Sequence, residues 1–406
     1  MFDTFRGLLI LSIPMSHFTK MAGNQYGTMY LTGGFPEESL FGFVYITINV
    51  FVMQAFMFLS GYFSKKTDRA QQTAFSTFMW PYLVFTIAYY FIRMFFMDGA
   101  NLKLLTPPFA LWFLFVLFFY RFFLKYMVRF SGLLPVSLIL YLLAGQIEEF
   151  GSFMSLGRAL SYFPFFLLGY YCSKERLAWF QGLRRKPLLL VLLGAVLIGI
   201  TLLLMHSDIK VGWYLLKQSV HSFPDMMWWE DTVMRVLIFF VACGWIILMI
   251  NIIPSKKSFI SYIGMNTMPV YVFHLTLRYV IEFYGIYTGF ISCLVVAWFA
   301  VISLIHRKVS TSQANSSAAP NAGSVSNAST ASHVIYIIVL AASIAGFYLM
   351  YSSGVLAPLY GLVPENIYFL YLLVYGGALI CGISFVAPFW VRLYDLMVTC
   401  SLKGPH

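Results

Sequence analysis

The chain has 406 residues, of which 60% are hydrophobic and only 10% are charged, and its formal net charge is +11. About twenty consecutive apolar residues cross the hydrocarbon core of a bilayer, and the chain contains many such stretches, which excludes an ordinary soluble globular protein. The expected fold class is an all-α polytopic membrane protein, and the positive charge is explained first by membrane topology and not by nucleic acid binding.

The first apolar segment, near residues 5–22, contains Arg6 and His17. Eleven residues at about 100° each bring both side chains to one helix face, about 16 Å apart along the axis. The side chain of an arginine near a helix end often only extends to the membrane–water interface, and a lone histidine often only makes a contact between helices. An ionisable pair on one face of a membrane helix is also a functional-site hypothesis, and both interpretations stay open at this point.

Eleven further segments are apolar enough to span a membrane. They lie near residues 39–62, 75–97, 108–127, 131–147, 157–173, 187–205, 232–252, 259–278, 285–305, 334–352 and 366–390. If the N-terminus is cytoplasmic, eighteen of the 26 basic residues fall on the cytosolic side. This excess predicts a multi-pass cell-membrane protein with both termini in the cytoplasm.

A Ser/Ala/Asn-rich stretch at residues 309–332 lacks any apolar period and predicts a flexible cytoplasmic linker. It divides the chain into a ten-span part, residues 1–308, and a C-terminal part, residues 333–406. The C-terminal part contains two apolar segments. It is expected to form a transmembrane hairpin followed by a short cytoplasmic tail.

Several side chains within or beside the spans are candidates for binding. Ser60 and Gly61 end the second span, where a small pair permits close approach of another helix or of a ligand. Trp112, at the predicted outer start of the fourth span, fits an interface anchor. His274 shares a helix face with Tyr271, and this face suits either a helix–helix hydrogen bond or an acceptor contact.

Six segments follow one another in a recognisable order. They are FDTFRGLLILSIPMSHF with its Arg-x10-His pattern, FVMQAFMFLSGYFSKK, WPYLVF, LWFLFVLFFYRFF, YFPFFLLGYY and IGMNTMPVYVFHL. Together they resemble the membrane-bound acyltransferase-3 family, particularly its branch of sugar O-acetylases similar to fucose 4-O-acetylase. The resemblance implies a ten-helix acyltransferase core in residues 1–308. It also implies transfer of an acyl group, usually acetyl and not succinyl or longer, from cytosolic acyl-CoA to a hydroxyl of a cell-surface or lipid-linked glycan.

The resemblance also implies roles for particular residues. His17 is expected to be the base for the acceptor hydroxyl or a transient acyl carrier, with Arg6 on the donor side. Donor phosphates need cations on the cytosolic side, and the expected donor-binding residues are Arg6, Lys65, Lys66, Arg69, Ser60 and Gly61. The expected acceptor-binding residues are Trp112, Tyr271, His274 and Tyr82.

The expected partners are acetyl-CoA or another acyl-CoA, a glycan acceptor and membrane lipid, without metal or nucleic acid. Some relatives carry a fused esterase-like domain. If final transfer needs such a domain here, a separate extracytoplasmic transferase must supply it.

Two other functions fit the same apolar pattern. A transporter or flippase of lipid-linked sugars also carries polar residues within the membrane, although the sequence shows no convincing internal repeat. A non-catalytic membrane scaffold is the third possibility, and it leaves a buried imidazole unexplained. Thioester cleavage separates the enzyme from both alternatives.

Overall fold

A computed structural model describes residues 1–26, 40–96, 101–150, 153–205, 226–284 and 375–399, with short pieces between 216 and 220 and between 298 and 349. The structure is 86% helix, and the described residues contain no strand. Several of the helices are strongly apolar, which is compatible with a polytopic membrane protein. The predicted linker at 309–332 and most of the predicted spans at 285–305 and 334–352 lie outside the described residues.

The α-helices used below are numbered in chain order. They are α1 Phe2–Tyr26, α2 Leu40–Tyr62, α3 Thr67–Ala74, α4 Trp80–Phe96, α5 Trp112–Met127, α6 Leu133–Leu143, α7 Leu156–Tyr171, α8 Lys174–Gln181, α9 Pro187–Met205, α10 Trp228–Ile252, α11 Phe259–Met265, α12 Thr267–Tyr284, α13 Gly377–Phe385 and α14 Pro388–Thr399. A π-helical turn, Phe75–Met79, joins α3 to α4.

Among the described residues, four helices are long and apolar enough to cross a membrane. They are Gly42–Tyr62, Thr67–Met94, Pro187–Met205 and Trp228–Ile252, and all four overlap predicted spans. The pair α13 and α14 would be a fifth span if its two parts, which bend by 65°, are counted together. The ten-helix core and the C-terminal hairpin stay predictions.

Three predicted spans differ from the helices observed. The span expected at 131–147 is the short helix α6, and the span expected at 259–278 is broken at Asn266. Asn266 leaves the helical conformation, with φ −114° and ψ 43°, and its side-chain amide donates to the carbonyl of Tyr262 at 3.0 Å. The span expected at 366–390 breaks before Pro388 and continues to Thr399, because proline begins a helix readily but does not continue one.

The chain divides into two compact units, and unit 1 comprises Met1 and Tyr26–Lys256. Helices α2 and α7 pack closely in this unit. A Cβ atom at Gly61 would overlap the carbonyl oxygen of Phe166, and one at Gly169 would overlap the carbonyl oxygen of Phe58. The two glycines therefore let the backbones touch, as small residues do between membrane helices.

Unit 2 comprises Phe2–Gln25 and Lys257–His406, so it contains α1 together with α11 to α14. Helices α1 and α11 touch through glycines: a Cβ at Gly7 would overlap the carbonyl of Ile260, and one at Gly264 would overlap that of Asp3. The Tyr262 hydroxyl donates to the carbonyl of Val386, at 3.2 Å. The C-terminal helices thus pack within the same unit as α1, while the predicted domain boundary at 309–332 stays untested.

Candidate functional site

Two histidines of unit 2 lie face to face. The rings of His17 on α1 and His274 on α12 have centroids 5.4 Å apart, and their planes differ by 4°. His17 is half-buried, with its Nε2 atom buried, and His274 is completely buried. The structure therefore brings the predicted catalytic histidine and a predicted acceptor-binding histidine into direct contact.

The hydrogen bond of His274 fixes which ring nitrogen is basic. Its Nδ1 lies 2.9 Å from the carbonyl oxygen of Val270, and because a carbonyl only accepts, Nδ1 carries the proton. The lone pair is then on Nε2, which is buried and has no hydrogen-bond partner in the part of the chain that the structure describes. A buried basic nitrogen of this kind calls for an explanation, and a reacting or bound group is one.

Tyr271 and Arg278 flank His274 on α12. The ring of Tyr271 is 6.2 Å from that of His274, and Tyr271 is itself buried. Arg278 lies one turn beyond His274 and is also buried. Three predicted site residues, His17, Tyr271 and His274, thus form one group within unit 2.

Arg6 lies just over one helical turn into α1, beside the glycine contact with α11. Its guanidinium donates to the carboxylate of Asp3, one turn earlier, and the two side chains are 35% and 42% exposed. Such a partly exposed ion pair contributes little free energy, so an anionic ligand can replace Asp3 at small cost. This geometry is compatible with the predicted donor-side role of Arg6.

The residues of unit 1 that are predicted to bind the acyl donor differ in their surroundings. Lys65 donates to the carbonyl of Cys172, at the end of α7, and its ammonium lies 4.4 Å from the ring centre of Tyr62. Lys66 and Arg69 are exposed. Contact with α7 accounts for Gly61, whereas Lys65 is exposed like the other two cations, and their predicted role in donor binding stays a prediction. A role for Ser60 or Gly61 in ligand binding stays a prediction.

Arg121 is a further candidate for binding the acyl donor, and it was not predicted from the sequence. It is half-buried on α5, donates to the Thr73 hydroxyl at 3.2 Å and lies 5.2 Å from the ring centre of Phe78 in the π-helical turn. Its Nε is buried and has no hydrogen-bond partner among the described residues. The Thr73 hydroxyl in turn donates to the backbone carbonyl of Arg69, so hydrogen bonds through Thr73 connect the side chain of Arg121 to the backbone of Arg69 in α3. An arginine inside the apolar run LWFLFVLFFYRFF was the available signal.

Trp112 and Tyr82 are buried in unit 1. The ring of Tyr162 lies 5.1 Å from that of Trp112, and the guanidinium of Arg158 lies 4.9 Å from the Trp112 ring centre. The Tyr82 hydroxyl donates to the carbonyl of Leu104, at 2.5 Å. Both side chains therefore already have protein neighbours, and their predicted contact with the acceptor stays untested.

Within the described residues, no three His, Cys, Asp or Glu side chains lie together as metal ligands would. No curated protein and no solved structure matches the chain. A family model described as "Acyltransferase domain" matches residues 2–306, which is most of the chain. The protein therefore belongs to the acyltransferase-3 family and is a membrane acyltransferase.

Proposed function

We propose that the protein moves an acetyl group from cytosolic acetyl-CoA to a hydroxyl of a cell-surface or lipid-linked glycan, as sugar O-acetylases do. The observation that supports this most is the stacked pair of His17 and His274, which lies inside the segment matched by the acyltransferase family. A neutral imidazole is the side chain best suited to take a hydroxyl proton near pH 7.

In the proposed reaction, His17 removes the proton of the acceptor hydroxyl while the oxygen of that hydroxyl attacks the thioester carbonyl. The carbon–sulfur bond then breaks, and the leaving thiolate takes the proton from His17. In a second route His17 attacks the thioester carbonyl, the carbon–sulfur bond breaks, and the leaving thiolate takes the imidazole proton, which leaves an acyl-imidazole. The acceptor hydroxyl then attacks the acyl group, and its proton returns to the imidazole as the carbon–nitrogen bond breaks. In both routes His274 is a positioning residue, because its stacked ring fixes the plane of His17.

The donor is proposed to enter from the cytosol, with both termini of the chain on that side of the cell membrane. Arg6 then contacts donor phosphate after release of Asp3, since guanidinium groups bind phosphate through two parallel hydrogen bonds. In unit 1, Arg69 and Arg121 are a second group of cations suited to phosphate, and the exposed Lys66 adds to it.

The first test measures release of free thiol from acetyl-CoA by the full chain in lipid nanodiscs, with a crude glycan acceptor pool. A general base accelerates such a reaction by about 10²–10⁴-fold. His17→Ala should therefore release thiol in the presence of acceptor at least about 10²-fold more slowly than the wild type. His274→Phe keeps a stacking ring and should retain more activity than His274→Ala. Thermal unfolding of each variant shows whether it has folded.

Two results would overturn the proposal. Unchanged acceptor-dependent release in a folded His17→Ala variant would remove His17 from the chemistry. Absence of thiol release by the wild-type protein with every acyl-CoA and acceptor preparation would instead favour a transporter or flippase of lipid-linked sugars.

A further inference from the structure

A cationic turn lies directly before α9 in unit 1. Residues 174–186 contain five basic side chains and one acidic side chain, Glu175. Arg185 and Lys186 end this stretch, and both are exposed. Pro187, the next residue, begins α9, which is long and apolar enough to cross a membrane. The two cations therefore lie at the end of a membrane helix, at the level of the lipid headgroups.

Hydrogen bonds fix this turn against the end of α10. Arg184 donates to the carbonyls of Asn251 and Ile253, at 2.8 and 2.6 Å. The side-chain amide of Asn251 in turn donates to the carbonyl of Phe180 in α8, at 3.0 Å. Arg184 thus binds the protein itself, and the two cations that follow it lie on a fixed backbone. A fixed backbone reduces the conformational entropy that is lost when a ligand binds.

Helix α9 presents an apolar face for lipid chains. Leu188 and Leu203, near its two ends, are 69% and 72% exposed, and helical spacing puts them on the same side. Only 22% of the most apolar stretch of this helix is buried within the protein. The acyl chains of membrane lipids cover such a face. A lipid whose chains lie along α9 therefore has its headgroup beside Arg185 and Lys186.

Trp179 adds an interfacial side chain to the same segment. It lies on α8 and is 73% exposed, whereas Leu177, on the other side of this helix, is buried. Tryptophan is enriched at membrane–water interfaces, because its ring packs among lipid while its N–H group donates a hydrogen bond to headgroups or water. Helix α8 therefore fits the membrane surface, with Leu177 against the protein and Trp179 towards the lipid.

The acidic side chain of this segment lies at its opposite end. Glu175 is in the first turn of α8, where the charges of Lys174 and Lys65 act on its carboxylate. The turn with Arg185 and Lys186 therefore has a positive charge that is complementary to a phosphate group. A zwitterionic headgroup brings a cation of its own together with its phosphate, so an anionic headgroup fits the turn better.

We propose that Arg185, Lys186 and Trp179 bind an anionic phospholipid, whose phosphodiester contacts the two cations while its acyl chains lie along α9. This lipid site goes beyond the proposed acyl transfer and does not depend on it. One Lys or Arg near the membrane surface strengthens the binding of anionic lipid by about fivefold, so the pair should contribute about thirtyfold together. The positive-inside rule explains the sign of the charge, but it predicts no site for a single lipid molecule.

The test is native mass spectrometry of the full chain in detergent micelles. It measures the dissociation constants of the first bound phosphatidylglycerol and the first bound phosphatidylcholine, with identical acyl chains. The wild type should bind phosphatidylglycerol at least about tenfold more tightly than phosphatidylcholine. The double variant Arg185→Gln with Lys186→Gln should lose most of this preference, and Lys186→Gln alone should lose about fivefold. Trp179→Ala should weaken the binding of both lipids equally, since the indole packs against either one.

The double variant Lys256→Gln with Lys257→Gln is the matched control. These two lysines are also adjacent and exposed, but they precede α11, which packs against α1 through Gly264. This control should bind both lipids like the wild type. Equal weakening by the two double variants would show only general attraction between anionic lipid and positive charge, and would overturn the inference. Equal binding of the two lipids by the wild type would also overturn it.

A soluble phosphate compound is the competing occupant. Glycerophosphoglycerol has the same phosphodiester without acyl chains, so it should bind far more weakly than phosphatidylglycerol. If glycerophosphoglycerol or coenzyme A displaces phosphatidylglycerol from the wild type, the turn binds soluble phosphates and the lipid proposal is wrong. Arg185→Lys keeps the charge and should keep the lipid preference, and thermal unfolding shows whether each variant has folded. Lipid binding is measured without acyl transfer, so failure of this proposal and failure of the proposed function are separate results.

Discussion

The ion pair of Asp231 and Arg235 allows a quantitative test of the packing in unit 1. Both side chains are 2% exposed, and Nε of Arg235 lies 2.9 Å from Oδ2 of Asp231. The same Oδ2 accepts from the amide of Gln146 at 2.9 Å. Asp231→Asn removes the negative charge and leaves the buried guanidinium of Arg235 without its counter-ion. The free energy of unfolding should therefore fall by about 3–5 kcal/mol.

The assay is unfolding of the protein in mixed micelles with increasing sodium dodecyl sulfate, followed by tryptophan fluorescence. Asp68→Asn is the control, because Asp68 pairs with Lys125 at a similar distance, 2.6 Å, but the lysine and aspartate side chains are 38% and 69% exposed. An exposed pair contributes little, so this variant should unfold almost like the wild type. The double variant Asp231→Leu with Arg235→Met should be more stable than either single variant, since it removes both buried charges. Equal losses for Asp231→Asn and Asp68→Asn would refute the reasoning.

Two further predictions concern helix contacts. Arg184 donates to the carbonyls of Asn251 and Ile253 at 2.8 and 2.6 Å, so Arg184→Ala should speed hydrogen exchange in the last turn of α10 and cost about 1–3 kcal/mol. Unchanged exchange in that turn would contradict this role. Gly264→Val should cost about 1–3 kcal/mol in the same unfolding assay, because its side chain would overlap the backbone of Asp3. Gly182→Ala, with φ −59° and open space around its Cβ, should instead be neutral or stabilising by up to about 1 kcal/mol, and a loss there would show that unit 1 is packed differently.

Hydropathy predicts most of the long helices but not where the chain breaks inside an apolar run. The spans expected at 39–62, 187–205 and 232–252 correspond to α2, α9 and α10. A window of about twenty residues averages over the whole span, so it does not register the single amide of Asn266 that separates α11 from α12. The same averaging conceals the break before Pro388.

The site could be predicted only where its residues lie on one helix. The Arg6 and His17 face follows from helical spacing, and so does the neighbourhood of Tyr271 and His274. Contact between His17 and His274 joins distant parts of the chain, and no local pattern specifies which polar residues of two helices meet. The support of Arg158 by Trp112 is of the same kind.

The composition of unit 2 also sets the order in which the protein can be completed during synthesis. Helix α1, which carries His17, finds its partners in residues 257 onwards, and residues 26–256 must be made in between. At about 5–20 residues per second, the ribosome takes on the order of tens of seconds to bridge this interval. Helix α1 must wait in the membrane for that time without the glycine contact that α11 later makes with it. A nascent chain stalled before residue 257 would thus hold the His17 imidazole but lack His274, its stacking partner.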